Sequence, residues 1–386
     1  MNIDSSNPDN SGALEEFRTM ILRFLEQEAL PYYEQWEKDK LVPREFWKTM
    51  GAAGLLLPDL PEQYGAAGTP VDVPLMVMEE MCRLNMHALA NGYNIHSNII
   101  GPYINNIGNE EQRRQWLPKM ISGEIFTALA MTEPGGGSDT AAMRTFARRE
   151  GDEYVINGSK TFITNGHQAD LIVLCCKTDM NAGAKGISLI LVETSVPGFS
   201  RGKRIEKIGQ HASDTSELFF SDVRVPVSNL LGAEGRGFIH MMEELPRERL
   251  GCSVQAVGHM QGALDLTVDY VTQRKAFGQP LSKLQNTRFK LADCKVKVEL
   301  GRALYEKNLA KFKAGKMTVE DAAQLKYATT EMELEVINEC LQHFGGYGYT
   351  EEYPISRFYR DARVQTIYAG TSEIMLEVIA RGILGR

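Results

Sequence analysis

Apolar residues recur at helical spacing from position 14 to about 123. Leu14, Phe17, Ile21 and Leu25 fall on one face, which predicts an amphipathic helix. Pro31 and Pro43 punctuate this zone, and Gly108-Asn109 precedes a further helical stretch over 110–120. Between about 126 and 231 the texture changes to short β-rich runs at 154–156, 161–163, 171–175, 187–192 and 218–225, separated by Gly, Asn, Asp or Pro. Asn157-Gly158 between the first two runs predicts a tight hairpin. Helical spacing returns from about Gly237. One helix is expected over 246–277, opened by Pro246 and stopped by Gly278 and Pro280. A second carries Leu291, Cys294, Val298, Tyr305, Leu309 and Phe312 on one stripe and ends near Gly315. A third opens at a capping box of Thr318 and Asp321 and reaches the glycines at 345–346, and a last begins near Thr371. Helical, then β, then helical: this order predicts an α+β chain with segregated zones at 1–125, 126–236 and 237–386, not an alternating βαβ sheet.

Composition narrows the function classes. The 42 basic and 50 acidic residues give a net charge of −8, which argues against nucleic-acid binding yet leaves room for one local basic pocket. No window reaches the ~18 unbroken apolar residues of a spanning helix. Cys175 and Cys176 are adjacent, and Cys82, Cys252, Cys294 and Cys340 are scattered without Cys-x-x-Cys spacing, so buried reduced thiols are expected. The seven histidines show no metal-ligand spacing, and no metal is expected. The opening over 1–16 is acidic and polar, without an apolar leader, which predicts a cytoplasmic location.

Five segments offer chemistry. The run Met131-Thr132-Glu133-Pro134-Gly135-Gly136-Gly137-Ser138-Asp139 lets the backbone approach a ligand closely and adds hydroxyls. It fits neither the lysine-containing phosphate loop nor the dinucleotide fingerprint, and alone it is equally a glycine-rich turn. Lys160-Thr161-Phe162-Ile163-Thr164-Asn165-Gly166 sets Phe162 and Thr164 on one side of a strand, suited to a flat ring or to a core aromatic. Arg274-Lys275-Ala276-Phe277-Gly278 ends a helix with two cations, which compensate its dipole or bind a phosphate together with Gln285. Gln342-His343-Phe344-Gly345-Gly346 again permits close approach. Tyr368-Ala369-Gly370-Thr371-Ser372-Glu373 opens the last helix, whose N-terminus binds an anion or is capped by its own Thr371 or Ser372.

In motif order and zone order, over nearly the whole chain, these segments resemble the acyl-CoA dehydrogenase family, most closely its long-chain branch. The resemblance implies an N-terminal helical domain, a central β-barrel-like domain and a C-terminal four-helix bundle, assembled as a homotetramer with one FAD per subunit. It implies removal of a proton from Cα and a hydride from Cβ of an acyl-CoA, giving a trans-2-enoyl-CoA in fatty-acid β-oxidation. An electron-transferring flavoprotein would then accept the electrons. The FAD contacts it implies are Leu129, Met131, Thr132, Gly137, Ser138, Phe162, Ile163 and Thr164, then Gln342, Phe344, Gly345, Gly346, Thr371, Ser372 and Glu373, with Arg274, Phe277 and Gln285 serving an adjacent subunit. Thr132 and Thr164 would bond the isoalloxazine edge, and Phe162 would pack on the ring. Ser138, Arg247, Arg249, Ala369 and Gly370 would meet the acyl-CoA.

The base departs from the commonest pattern. Most members carry a Glu directly before the Gly-Thr of the last motif, and here that position is Ala369. The long-chain and isovaleryl branches place the base on a bundle helix within Glu-Arg-Leu, which implies Glu248 of Glu244-Leu245-Pro246-Arg247-Glu248-Arg249-Leu250. With Pro246 at the helix start, Glu248 falls in the first turn, where the dipole lowers a carboxyl pKa, so flavin and acyl chain would have to raise it. An acyl-CoA oxidase of the same fold and an inactive flavin- or CoA-binding homologue stay open beside the dehydrogenase, whose usual length the chain fits better.

Overall fold

The structure, a computed structural model, describes residues 11–385, so the opening ten residues of the acidic start lie outside it. Seven helices come first: α1 Ser11–Glu28, α2 Leu30–Asp39, α3 Arg44–Ala52, α4 Asp72–Arg83, α5 His87–Tyr93, α6 Gly101–Ile107 and α7 Glu110–Ile121. Ile21 and Leu25 of α1 are fully buried, as their spacing requires. Asn109 and Gln112 form a reciprocal capping box that starts α7. Between α5 and α6 the chain runs unbroken through a π-helical segment, Asn94–Ile100. None of the described helices is long and apolar enough to cross a membrane.

The middle zone is one eight-stranded sheet. Its strands are β1 Thr127–Ala130, β2 Phe146–Glu150, β3 Glu153–Thr164, β4 Leu171–Lys177, β5 Ile187–Glu193, β6 Phe199–Arg204, β7 Thr215–Pro226 and β8 Leu230–Leu231. The order is β6-β7-β3-β2-β4-β5-β8, with β1 parallel to β4. The hairpin expected at Asn157-Gly158 is absent: both residues lie inside β3, and the turn comes earlier, at Gly151 and Asp152. Asn157 and Asp222 exchange hydrogen bonds across to β7 instead, beside a register shift between Ile156 and Gly158. Gly158 is needed there because a Cβ would sit 2.5 Å from the Thr145 hydroxyl.

Helices return as α8 Gly237–Gln273. After it a two-stranded ribbon, β9 Lys275–Ala276 and β10 Gln279–Pro280, folds back around Phe277-Gly278, both with positive φ. Then come α9 Gln285–Lys313, α10 Val319–Gln342, α11 Pro354–Ala362 and α12 Ser372–Leu384. α8, α9, α10 and α12 pack as the bundle, and the Thr318–Asp321 capping box opens α10 as its sequence predicts. α8 differs from expectation: it starts at Gly237, so Pro246 lies inside it, and it stops at Gln273, before Phe277. All six cysteines are free and buried.

Candidate active site

Glu248 lies about three turns inside α8, beyond the reach of the N-terminal dipole, so the first-turn expectation is overturned. Its carboxylate is buried against α6, where the Tyr103 hydroxyl donates to Oε1 at 2.7 Å. Oε2 has no hydrogen bond among the described residues. Burial pushes the Glu248 pKa up to about 7, against the lowering effect of the Tyr103 bond. Glu244, one turn earlier, pushes the same way as burial, and Arg249 opposes it. The carboxyl is therefore raised by the protein alone.

A polar seam aligns α8 with the helix that carries Tyr103. Asn106 donates to Glu244 at 2.9 Å, and Arg247 Nε donates to the Asn98 side chain and backbone at 3.1 Å each. Arg247 also pairs with Asp59 at 2.8 Å, so this guanidinium is held by protein groups. Gly251 permits the close approach: a Cβ there would lie 2.5 Å from Asn98 Nδ2.

The glycine-rich stretch is clamped to β3. Lys160, fully buried, donates from Nζ to the Met131 carbonyl at 2.8 Å and to Glu133 Oε1 at 2.9 Å. Glu133 also accepts from the Arg144 and Thr145 backbone N–H groups, and Thr161 N–H donates to the Thr132 carbonyl at 2.9 Å. These bonds hold Glu133 below the usual carboxylate range against its burial. The hydroxyls of Thr132, Ser138 and Thr164 have no protein partner among the described residues. Phe162 sits in a bulge of β3 at φ 58° with 64% of its surface exposed, while Ile163 is buried and Leu129 is half-buried in β1. Gly137 is in the exposed part of the loop. β1 runs beside β4, whose buried Cys175 lies within electrostatic reach of both Lys160 and Glu248.

A third element closes on the same helix. Ala369 and Gly370 have φ of 53° and 96°, and the buried Lys326 of α10 donates to the Gly370 carbonyl at 2.8 Å. A Cβ on Gly370 would lie 3.8 Å from Arg249 Nη2, which borders this turn. Thr371 caps α12 by accepting from Ile374 N–H, the simpler of its two sequence readings. The Ser372 hydroxyl donates to Glu331, and Glu373 is exposed.

Arg274, Gln342, Phe344, Gly345 and Gly346 line a separate cleft of about 510 Å³ at the far end of the bundle. Phe344 stacks on Tyr270, with centroids 4.1 Å apart, and Arg274 lies over the Tyr347 ring. His343 Nε2 is buried at this cleft without a partner. Phe277 is 92% exposed and Gln285 is also exposed. No hydrogen bond or ion pair joins the cleft to the Glu248 region among the described residues.

Three whole-domain sequence profiles match the chain. "Acyl-CoA dehydrogenase, N-terminal domain" covers 11–124, the middle domain covers 128–223 and the C-terminal domain covers 235–384. The chain belongs to the acyl-CoA dehydrogenase family. It is 42% identical to the mitochondrial long-chain specific acyl-CoA dehydrogenase of Rattus norvegicus over 370 residues, 95% of this chain and 86% of that one. An acyl-CoA dehydrogenase structure from Geobacillus kaustophilus superposes with a TM-score of 0.94 at 46% identity, covering 96% of this chain and 97% of that one. A chain from the structure titled "Electron transferring flavoprotein of Acidaminococcus fermentans" gives 0.93 at 36% identity, covering 96% and 98%.

Acyl-CoA dehydrogenases are FAD-dependent oxidoreductases, and the residues here fit that cofactor. Among the described residues, unpaired hydroxyls accompany an exposed Phe162 ring at one locus, and the Arg274 cation and the partnerless Nε2 of His343 line the cleft at the other. Sequence reasoning missed Tyr103 and Lys326, and it singled out the stretches that hold Glu133 and Lys160 without giving either residue a role of its own. It also missed that His87, His259 and Glu333 meet in the core, with His259 Nδ1 2.7 Å from Glu333 Oε1, because these residues stand on three separate helices.

Proposed function

We propose that this acyl-CoA dehydrogenase oxidises long-chain or branched acyl-CoA to the trans-2-enoyl-CoA, with Glu248 as the base. One observation carries the assignment: a buried carboxylate, anchored through one oxygen, has a pKa near 7 and a second oxygen that receives no hydrogen bond among the described residues. A general base works best when its pKa lies near the operating pH. The 42% identity to the rat long-chain enzyme supports the chain-length class.

FAD, when bound, supplies the acceptor for the Cβ hydride. Glu248 takes the Cα proton. The Ala369 N–H, presented by a left-handed turn, polarises the thioester carbonyl and favours the enolate character that develops at Cα. Thr132 and Thr164 would hydrogen-bond the edge of the flavin ring, Phe162 would pack on the ring, and Ser138 and Arg249 would meet the acyl-CoA. The exposed Phe277 and Gln285, together with the Arg274 cleft, would hold the flavin of a neighbouring copy. Assembly with further copies, as in a homotetramer, is supported by the apolar side chains Phe289, Val296 and Leu300 that α9 leaves exposed. Electrons then pass to an electron-transferring flavoprotein. Acidic charge and six reduced thiols support a reducing, cytoplasmic setting.

Anaerobic flavin reduction by an acyl-CoA panel, with and without Glu248→Gln, tests the reading. The variant should keep FAD and lose about 10²–10⁴-fold in reduction rate. A loss under about tenfold would assign the proton to another group. Rapid reoxidation of the reduced wild-type enzyme by air would indicate an oxidase, and no reduction at all an inactive homologue.

A further inference from the structure

We propose that Tyr103 is a positioning residue for proton abstraction: its hydroxyl holds one oxygen of Glu248 and so aims the other at the substrate Cα. The inference rests on Glu248 being the base. The hydroxyl has one proton to donate, and Glu248 Oε1 receives it at 2.7 Å with both side chains buried. A flexible carboxylate tied at one oxygen loses its freedom to swing, which removes an entropic part of the barrier.

Tyr93, ten positions earlier in sequence, supplies the contrast. It too is fully buried, yet its hydroxyl donates to the Leu55 backbone carbonyl at 2.9 Å, an ordinary structural bond. Tyr103 instead spends its hydroxyl on the one carboxylate placed to do chemistry. The seam around it keeps register: Asn98 meets Arg247, Tyr103 meets Glu248, and Asn106 meets Glu244. When the Cα–H bond breaks, the proton joins Oε2 and the hydride leaves Cβ for FAD. The Tyr103 proton stays in place, because burial and the Glu248 charge hold that phenol well above its ordinary pKa.

The groups that set the carboxylate's titration are Tyr103 on α6 and Glu244 and Arg249 on α8, while the buried thiols of Cys252 on α8 and Cys175 on β4 lie near it and are themselves raised by its charge. Of these, the Tyr103 bond is the largest influence favouring the charged form. Removing it therefore raises the acid limb of the rate profile.

The experiment measures anaerobic flavin reduction by a long-chain acyl-CoA from pH 5.5 to 9 in wild type, Tyr103→Phe, Tyr93→Phe and Glu248→Gln. Tyr103→Phe should slow reduction roughly tenfold on the plateau and move the acid limb up by about one unit, while Tyr93→Phe moves neither. Infrared titration of ¹³C-glutamate-labelled enzyme, with Glu248→Gln as the blank, should show the same shift without turnover. Should Tyr103→Phe misfold, 3-fluorotyrosine at 103 keeps the shape, strengthens the donor and moves the limb down. An unmoved limb and an unmoved carboxyl titration would overturn the role of Tyr103. Near-normal activity of Glu248→Gln would overturn the base itself, a separate result.

Discussion

The ammonium of Lys326 and the carbonyl of Gly370 meet at 2.8 Å in the protein interior, joining α10 to the left-handed turn that precedes α12. Burial lowers the Lys326 pKa to about 8, the cost of placing a cation there. The non-glycine Ala369 at φ 53° is an unfavourable conformation, and it persists because such contacts over-determine it. Lys326→Met keeps length and apolar bulk but releases the turn. Acyl-CoA oxidation should fall about tenfold or more while the melting temperature changes little. Unchanged kinetics would show that the turn holds itself.

The pH dependence has a defined sign. As the proposed base, Glu248 has to be ionised to accept a proton, so kcat/KM should fall as pH drops below about 7. Stability runs the other way. A carboxyl raised from 4.5 to about 7 contributes stability that is full below about 4.5 and is lost as pH rises through 7. Glu248→Gln should thus be more stable than wild type at pH 8, by up to about 3 kcal/mol, with the gap closing towards pH 5. Urea unfolding at both pH values measures it.

Breaking the buried Lys160–Glu133 pair on one side should be costly. Lys160→Met leaves Glu133 buried with only backbone donors, a loss of about 3–5 kcal/mol, and frees the 131–138 loop. Flavin should then wash out during gel filtration, read from the absorbance at 450 nm against 280 nm. The double variant Lys160→Met/Glu133→Gln should recover part of the stability, because no lone charge remains.

Arg274→Ala removes the cation from the bundle-end cleft and from the Tyr347 face. Flavin content and the tetramer fraction in analytical ultracentrifugation should fall together. A monomer that keeps its FAD would refute the placement of this cleft at a shared site.

Local signals were readable in the sequence. The Thr318–Asp321 capping box and the stripe on α9 predicted elements where they occur, because cap and helix lie within a few residues of one another. Pro246 misled the start of α8: proline favours a first turn, but bundle packing carries the helix two turns further back. Asn157-Gly158 misled as well, since the same pair that suits a tight turn also suits a bulge facing Thr145. Glu248 emerged from the resemblance alone. Its environment did not, because Tyr103 stands 145 positions away. The Gly370 carbonyl is likewise 44 positions from Lys326, and periodicity cannot pair residues across such distances.

The π-helical segment over 94–100 amounts to a change of phase inside one continuous helix. Each residue of an α-helix advances about 100° around the axis, so deleting a single residue there would rotate everything downstream by roughly that angle. Ile104 would turn towards the place where the Tyr103 hydroxyl now meets Glu248, and the Asn106 contact to Glu244 would be lost with it. Such a shortened chain could preserve helix content and core composition and still leave the carboxylate unanchored. For this enzyme, then, the angular setting of one helix, fixed ahead of Tyr103 by a wider turn, is itself a determinant of which side chain faces Glu248.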